Sequence, residues 1–225
     1  MKKIFVFILL SGILSAQTFT VEKITGKASV QKGGEESWMP LKNGMTLDYD
    51  ATIVTDDKSH VELKGENIKF DLGESSAVST GSIKKMNLDD LLLALAMEDM
   101  MNAPKKINKK SNSTAVYGTD EGEKDTPKLK HDDFGIKRLN GAMQIAENGM
   151  GESAVVVAKE TYRKYPATKK LASYRIYFAD ILFNKGLYEE ALKEYYDIGK
   201  LELTSNEKEN IDSKVESIKM KLMSE

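Results

Sequence analysis

The chain of 225 residues contains no cysteine and only two histidines, and these absences exclude several kinds of site. Without cysteine the protein forms no disulfide, and no lipid can be attached to a cysteine behind an export signal. An ordinary zinc site needs about four ligands, mostly Cys and His, whereas His60 and His131 lie far apart in the sequence. His60 follows the alternation of a predicted strand beside Val61, which favours a solvated side chain. We therefore expect no metal site and no cofactor.

The charge is nearly balanced, and no catalytic motif is present. The formal net charge is −2, so the chain lacks the basic excess that nucleic-acid-binding proteins usually carry. No serine lies in a nucleophile-elbow sequence, and the glycines form no phosphate-binding fingerprint. The carboxylate pair Asp89-Asp90 lies at a predicted helix start, where it interacts favourably with the helix dipole. These features predict a protein that is not an enzyme and has no nucleic-acid partner.

Residues 1–16 are typical of a secretory signal peptide. Lys2 and Lys3 precede a short apolar run from Ile4 to Leu10, and Ala16 is a small residue at the expected cleavage point. A membrane anchor is the alternative, but it needs about 20 apolar residues, and the polar Gln17 follows too early. No later apolar run is long enough to span a bilayer. We therefore expect an exported protein, periplasmic or extracellular, without a transmembrane segment once the signal is removed.

Residues 17–82 alternate between apolar and polar side chains. Val61 and Leu63 are one example of this alternation, and turn residues such as Gly33-Gly34 and Asn43-Gly44 separate the short apolar stretches. Short alternating segments between regularly spaced turns are typical of β-strands that pack into a closed or two-layered structure. The pattern predicts a small all-β sandwich or barrel.

Residues 83–133 divide into a helix and a polar linker. Asn87 is a suitable N-cap for a helix that ends at Asn102. Its apolar residues span an unusually wide sector: Leu88, Leu91, Leu92, Leu93, Leu95, Ala96, Met97, Met100 and Met101. Because so wide a sector must be buried, we expect the helix to pack on the β domain or on the later helices. Binding of a partner protein and association with a membrane surface are the alternatives. Residues 103–130 predict an exposed linker.

Residues 134–225 are predicted to be entirely helical, with helices at about 134–148, 152–165, 168–185, 188–201 and 205–223. Several positions recur after an interval of 37 residues: Ala142, Ile145, Gly149, Ala154 and Ala158 become Ala179, Leu182, Gly186, Ala191 and Tyr195. Small residues recur where two helices must approach closely, and glycine recurs where a helix must end. This pattern predicts stacked helical hairpins, which form binding surfaces.

The β segment resembles the FecR domain. The residues that carry the resemblance are Val21, Ile24, Gly26, Ala28 and Val30, followed by Leu41, Gly44, Leu47, Asp50, Ile53 and Thr55. The stretch 113–119 looks like the closing strand of that family, although Tyr117 stands where arginine is usual. The resemblance implies a FecR-like β domain over residues 17–82 with a closing strand near 113–119. The best-known members relay a transport signal to a sigma factor, but this chain shows neither their anti-sigma portion nor their internal membrane span.

The helical segment is similar to tetratricopeptide repeats. The matching residues are Ala142, Ile145, Gly149, Ala154, Ala158 and Pro166 in one copy, and Ala179, Leu182, Gly186, Tyr188, Ala191 and Tyr195 in the next. The interval is longer than the usual ~34 residues, and Gly151 stands where an aromatic residue is usual. In this family the first helix of each hairpin lines a peptide-binding groove. The resemblance therefore implies partner-binding roles for Met143, Glu147, Asp180, Phe183 and Asn184.

These patterns together predict an α+β multidomain protein. A small all-β FecR-like domain is followed by a helix and polar linker, and residues 134–225 form an α-helical tetratricopeptide-like hairpin array. The expected function is non-catalytic: protein–protein interaction or scaffolding in the bacterial cell envelope. A module that binds peptidoglycan or another envelope glycan, and a regulatory component of FecR-type signalling, are the alternatives. The polar linker also predicts that the β domain and the helical array are separable.

Overall fold

The structure is a computed structural model that describes residues 18–33, 35, 37–103 and 131–224. The predicted signal peptide, the predicted closing strand at 113–119 and most of the predicted linker lie outside these residues.

The described residues of the N-terminal half form two antiparallel sheets of four strands each. The strands are β1 (Phe19–Thr25), β2 (Ala28–Gln31), β3 (Met39–Pro40), β4 (Thr46–Leu47), β5 (Thr52–Thr55), β6 (His60–Lys64), β7 (Lys69–Leu72) and β8 (Ala77–Ser79). One sheet has the strand order β4-β1-β6-β7, and the other has the order β3-β2-β5-β8. Every strand pair is antiparallel. Of the predicted alternatives, the described strands therefore form two separate sheets rather than one closed barrel.

The alternation of apolar side chains builds the core of this half. Val61 and Leu63 of β6 are at most 1% exposed, while Glu62 between them pairs with Lys23 of β1 at the surface. Phe70 and Leu72 continue the same inner face on β7, and both are fully buried. Period-two burial of this kind is what holds a strand in register, because a one-residue slip would expose the whole apolar set.

In the described part of the chain, six helices follow the strands: α1 (Leu88–Asn102), α2 (His131–Glu147), α3 (Gly151–Lys164), α4 (Ala172–Asn184), α5 (Tyr188–Ile198) and α6 (Ser205–Met223). The sequence predicted these helices to within a few residues. The largest difference is at the start of α4, because residues Pro166–Lys170 form a short 3₁₀ turn instead of its first turn. Gly149 and Gly186 end helices with φ of +80° and +79°, a conformation that favours glycine. Two antiparallel sheets followed by helices confirm the α+β class.

The helices pack mainly on their neighbours in sequence, α2 on α3 and α4 on α5, and α3 also contacts α4 and α1. The alanines predicted to lie at close helix contacts are all at most 1% exposed: Ala142, Ala154, Ala158, Ala179 and Ala191. Their small side chains let the helix axes approach closely. The last helix, α6, packs on α5 and begins with a capping box formed by Thr204 and Glu207.

Helix α2 joins the helices to the sheets. Its amide side chains Asn140, Gln144 and Asn148 are spaced four residues apart and therefore lie on one face. Asn140 donates to the Ser75 carbonyl at 2.8 Å, Gln144 accepts from the Gly73 amide and donates to the Ser76 hydroxyl, and Asn148 both accepts from and donates to the backbone of Asp71. These contacts satisfy backbone groups at the free edge of β7 and in the β7–β8 loop, which water or another chain would otherwise bind.

Two further contacts bring α2 close to the sheets. Lys137 donates to the Thr55 carbonyl at 2.7 Å. Gly141 lies directly against the carbonyl oxygen of Ala77 on β8, where a methyl group would overlap that oxygen. The β domain and the helical array are therefore in extensive contact.

Candidate functional site

Two of the predicted groove residues, Asp180 and Phe183, are engaged within the chain. Asp180 accepts a hydrogen bond from the Tyr195 hydroxyl at 2.5 Å and pairs with the Lys214 ammonium of α6 at 2.6 Å. Phe183 packs edge-on against Tyr188, with ring centroids 5.8 Å apart, and the Lys214 nitrogen lies 5.3 Å from its ring centroid. Lys214 of α6 therefore contacts two of the side chains that were expected to bind a peptide.

The other three predicted residues have no such cover from α6. Met143 is half-buried against the core, whereas Glu147 and Asn184 are exposed. Glu147 approaches Tyr177 of α4 closely enough that partial burial and this carboxylate together raise the pKa of Tyr177. The five predicted residues thus fall into two groups. Met143, Glu147 and Asn184 lie on α2 and α4 without a described contact from α6, whereas Asp180 and Phe183 contact Lys214.

Among the described residues, the outer side of α1 carries more strongly exposed large apolar side chains than any other helix. Its inner side is buried, with Leu91 fully buried and Leu92 and Leu95 packed against the core. The outer side has four large apolar residues that are more than half exposed: Leu93 (63%), Met97 (54%), Met100 (77%) and Met101 (53%). We call these four residues, with the small exposed Ala96 among them, the outer face of α1. The expected packing on the later helices therefore accounts for only one side of this helix.

Ion pairs fix α1 on the helical array. The Glu98 carboxylate is 7% exposed and binds Arg163 of α3 in a bidentate manner, at 2.8 and 3.2 Å. Asp99 pairs with Lys193 of α5 at 2.5 Å. Bidentate arginine–carboxylate pairs add geometric specificity as well as energy. These contacts set the rotation of α1 about its axis and so determine which side faces outward.

A buried charged cluster lies beneath, between α3, α4 and α5. Glu194 is 7% exposed and pairs with both Lys159 and Arg175. Burial alone would raise the pKa of Glu194, but these two cations hold it below its usual value. The Tyr162 hydroxyl and the Arg175 Nε have no hydrogen-bond partner among the described residues, and both line an internal cavity with room for about one water molecule. Burial raises the pKa of Tyr162, so its hydroxyl stays protonated.

Neither a metal site nor a membrane-spanning helix occurs in the part of the chain that the structure describes. No three His, Asp or Glu side chains there are grouped so that they could hold a metal ion. None of the helices described is both long and apolar enough to cross a bilayer. His60 is part-exposed on β6, with its Nε2 at 3.7 Å from an oxygen of Asp71.

Comparison with protein-family models, with curated proteins and with solved structures found no match to this chain. Functional inference therefore depends on the residues of the chain and their geometry. Sequence analysis placed the partner-binding residues on α2 and α4 and left α1 with three alternatives. The signal that could have directed attention to α1 is its apolar sector, which is wider than a single packing partner can bury.

Proposed function

We propose that this chain is a non-catalytic, exported protein of the bacterial cell envelope that mediates protein–protein interaction or scaffolding. The observation that carries the proposal is the outer face of α1, an exposed apolar stripe on a helix that the ion pair between the buried Glu98 and Arg163 holds in place. Monomeric proteins rarely leave a large contiguous apolar patch in water, and such patches usually mark binding surfaces. Methionine is flexible and polarisable, so a surface rich in it adapts to partner side chains.

We further propose that α2–α3 and α4–α5 are tetratricopeptide-like hairpins and that the two sheets are a FecR-like domain. The hairpin proposal is supported by the close packing of each helix pair and by the complete burial of the repeated alanines. The FecR proposal is supported by the burial of Leu41, Leu47 and Ile53, which carry that resemblance. In this arrangement α6 stands where the first helix of a third hairpin would lie. Because Lys214 of α6 contacts Asp180 and Phe183, the outer face of α1 is the better binding surface.

Affinity capture from a cell-envelope extract tests this function with three versions of the mature chain. The first is the unaltered protein, and the second has Met97→Gln and Met100→Gln on the outer face. The third is a matched control with Met220→Gln and Met223→Gln on α6, where both methionines are also exposed (61% and 87%). All three should fold alike, because polar substitutions at exposed sites away from special features change stability by about 0.5 kcal/mol or less.

The proposal expects the unaltered chain and the α6 control to capture the same protein, and the α1 variant to lose it. Capture that is equal for all three chains, or the absence of any captured protein, would contradict the proposal. Pelleting of the chain with cell-wall sacculi in place of a captured protein would favour the glycan-binding alternative.

A further inference from the structure

The charges on the outer face of α1 are all of one sign. Asp89 and Asp90 precede Leu93 by four and three residues, so they lie on the same side of the helix at its N-terminal end. Both are exposed, and neither forms an ion pair with any described residue. The two other acids of α1, Glu98 and Asp99, are turned toward Arg163 and Lys193. No basic residue occurs in the 15 residues of the helix.

This charge pattern disfavours two possible occupants of the face. An anionic membrane surface would be repelled by Asp89 and Asp90. A second α1 helix in parallel orientation would place acid against acid. In antiparallel orientation it would place these acids beside the C-terminal end of the partner helix, which has a negative dipole and no basic residue in its last turn.

We infer that the outer face of α1 binds an amphipathic helix of a partner protein, antiparallel to α1, with lysine or arginine in its last turn. This inference rests on the proposed function and adds the chemistry of the partner. In antiparallel orientation the basic last turn of the partner lies against Asp89 and Asp90. The same basic residues also stabilise the partner helix, because cations near a helix C-terminus interact favourably with its dipole.

The shape of the face also fits a helix. The 15 residues of α1 span about 22 Å, which matches roughly four turns of a partner. Leu93, Met97 and Met100 form a ridge along the helix, and Ala96 beside them leaves a shallow point where a second helix can approach. Helices pack by inserting the ridges of one into the grooves of the other. A partner with apolar residues spaced three and four apart therefore covers the ridge along its full length.

The chain has no cysteine, so one introduced cysteine can carry a fluorescent label at a chosen position. The mature, full-length chain with Ala103→Cys, an exposed position directly after the last turn of α1 and outside its outer face, is labelled with an environment-sensitive dye. It is then titrated with two synthetic helical peptides. The peptides have the same leucine stripe and differ only in their last turn, which holds lysines in one and glutamates in the other. A label at the exposed Ser205 (Ser205→Cys), where α6 begins, reports any response that is unrelated to α1.

We expect the lysine peptide to change the signal of the label at position 103, and the glutamate peptide to bind at least tenfold more weakly. Asp89→Asn with Asp90→Asn should weaken the lysine peptide about three- to tenfold, as expected for two exposed charge pairs, and should not weaken the glutamate peptide. Added salt should reduce the difference between the peptides. Equal binding of both peptides would overturn the inference. The comparison of the two peptides does not use the aspartate variant, so it stays decisive if that variant is less stable.

Two further measurements separate the other occupants. Lys105 and Lys106 follow the C-terminal end of α1 in the sequence, outside the described residues. Because these lysines add positive charge after the α1 helix of a second copy, the oligomeric state is measured by analytical ultracentrifugation. A dimer that Met97→Gln with Met100→Gln dissolves would overturn the inference in favour of a second copy. Binding of the labelled chain to vesicles that contain anionic phospholipid would overturn it in favour of a membrane. If neither peptide binds but the capture experiment still depends on Met97 and Met100, this partner class is wrong and the interaction function stands.

Discussion

At the scale of single residues, the most unusual side chain is Glu194. A carboxylate that is 7% exposed loses most of its hydration, and it is retained as an anion because Lys159 and Arg175 both contact it. Such a buried cluster of three ions contributes less to stability than its Coulomb attractions suggest, because all three ions lose water. Removing one member is costly, however, because the remaining charges stay buried without their counterion.

Glu194→Gln should therefore destabilise the protein by about 3 kcal/mol at neutral pH. The pKa of Glu194 is below its usual value of 4.5 in the folded state, so the carboxylate stabilises the fold fully above that value. This stabilisation is lost as the pH falls through the lower, folded-state pKa. The difference between the unaltered and Gln chains should then shrink below about pH 4.5, as measured by urea unfolding across a pH series.

The control for this series is Glu216→Gln, because Glu216 is exposed in the middle of α6, away from the helix ends. That variant should unfold with the unaltered chain at every pH. A Glu194→Gln penalty that stays constant down to pH ~3, below the usual range of a glutamate pKa, would show that the cluster does not depend on the ionised carboxylate.

At the scale of helices and strands, local signals predicted much of the fold. Gly149, Gly186 and Pro166 mark helix ends in the sequence, and the structure ends α2, α4 and α3 beside them. Contacts between distant residues could not be predicted in this way. Lys214 covers Asp180 although 34 residues separate them, and no local pattern indicates which helix lies over α4. Local patterns therefore predict a groove at α2 and α4, two of whose residues contact Lys214 of α6 in the structure.

The docking of α2 on the sheets was not predicted either, because its amide side chains bind backbone groups, which have no sequence signature. Gly141 tests this contact. Alanine favours an exposed helix over glycine by about 1 kcal/mol, so Gly141→Ala would stabilise a free α2. Because the added methyl group would overlap the Ala77 carbonyl, we expect a loss of about 1–3 kcal/mol instead, measured by chemical unfolding.

Ser213→Ala, at an exposed position of α6, is the matched control for helix propensity and should be neutral or slightly stabilising. If Gly141→Ala raises the stability as the control does, α2 does not lie against β8 as described.

At the scale of the whole molecule, the central claim is that the two halves of the chain form one body that holds α1 with its outer face open. Helix α1 belongs to the N-terminal half in sequence but packs on α3 in the C-terminal half. Helix α2 makes the reverse connection, from the helical array to the edges of β7 and β8. Helices on both sides of the polar linker, α1 and α2, therefore join the two halves and oppose the separation that the linker suggested.

Cutting the chain between Ala103 and His131 tests this claim most directly. A specific protease sequence is inserted there and cleaved, and the products are analysed by size-exclusion chromatography, first in native buffer and then in urea. The account predicts that the two pieces elute together as one species of the intact size in native buffer and separate only in urea. Separate elution of two folded pieces in native buffer would contradict it, because α1 would then leave the array that presents its outer face.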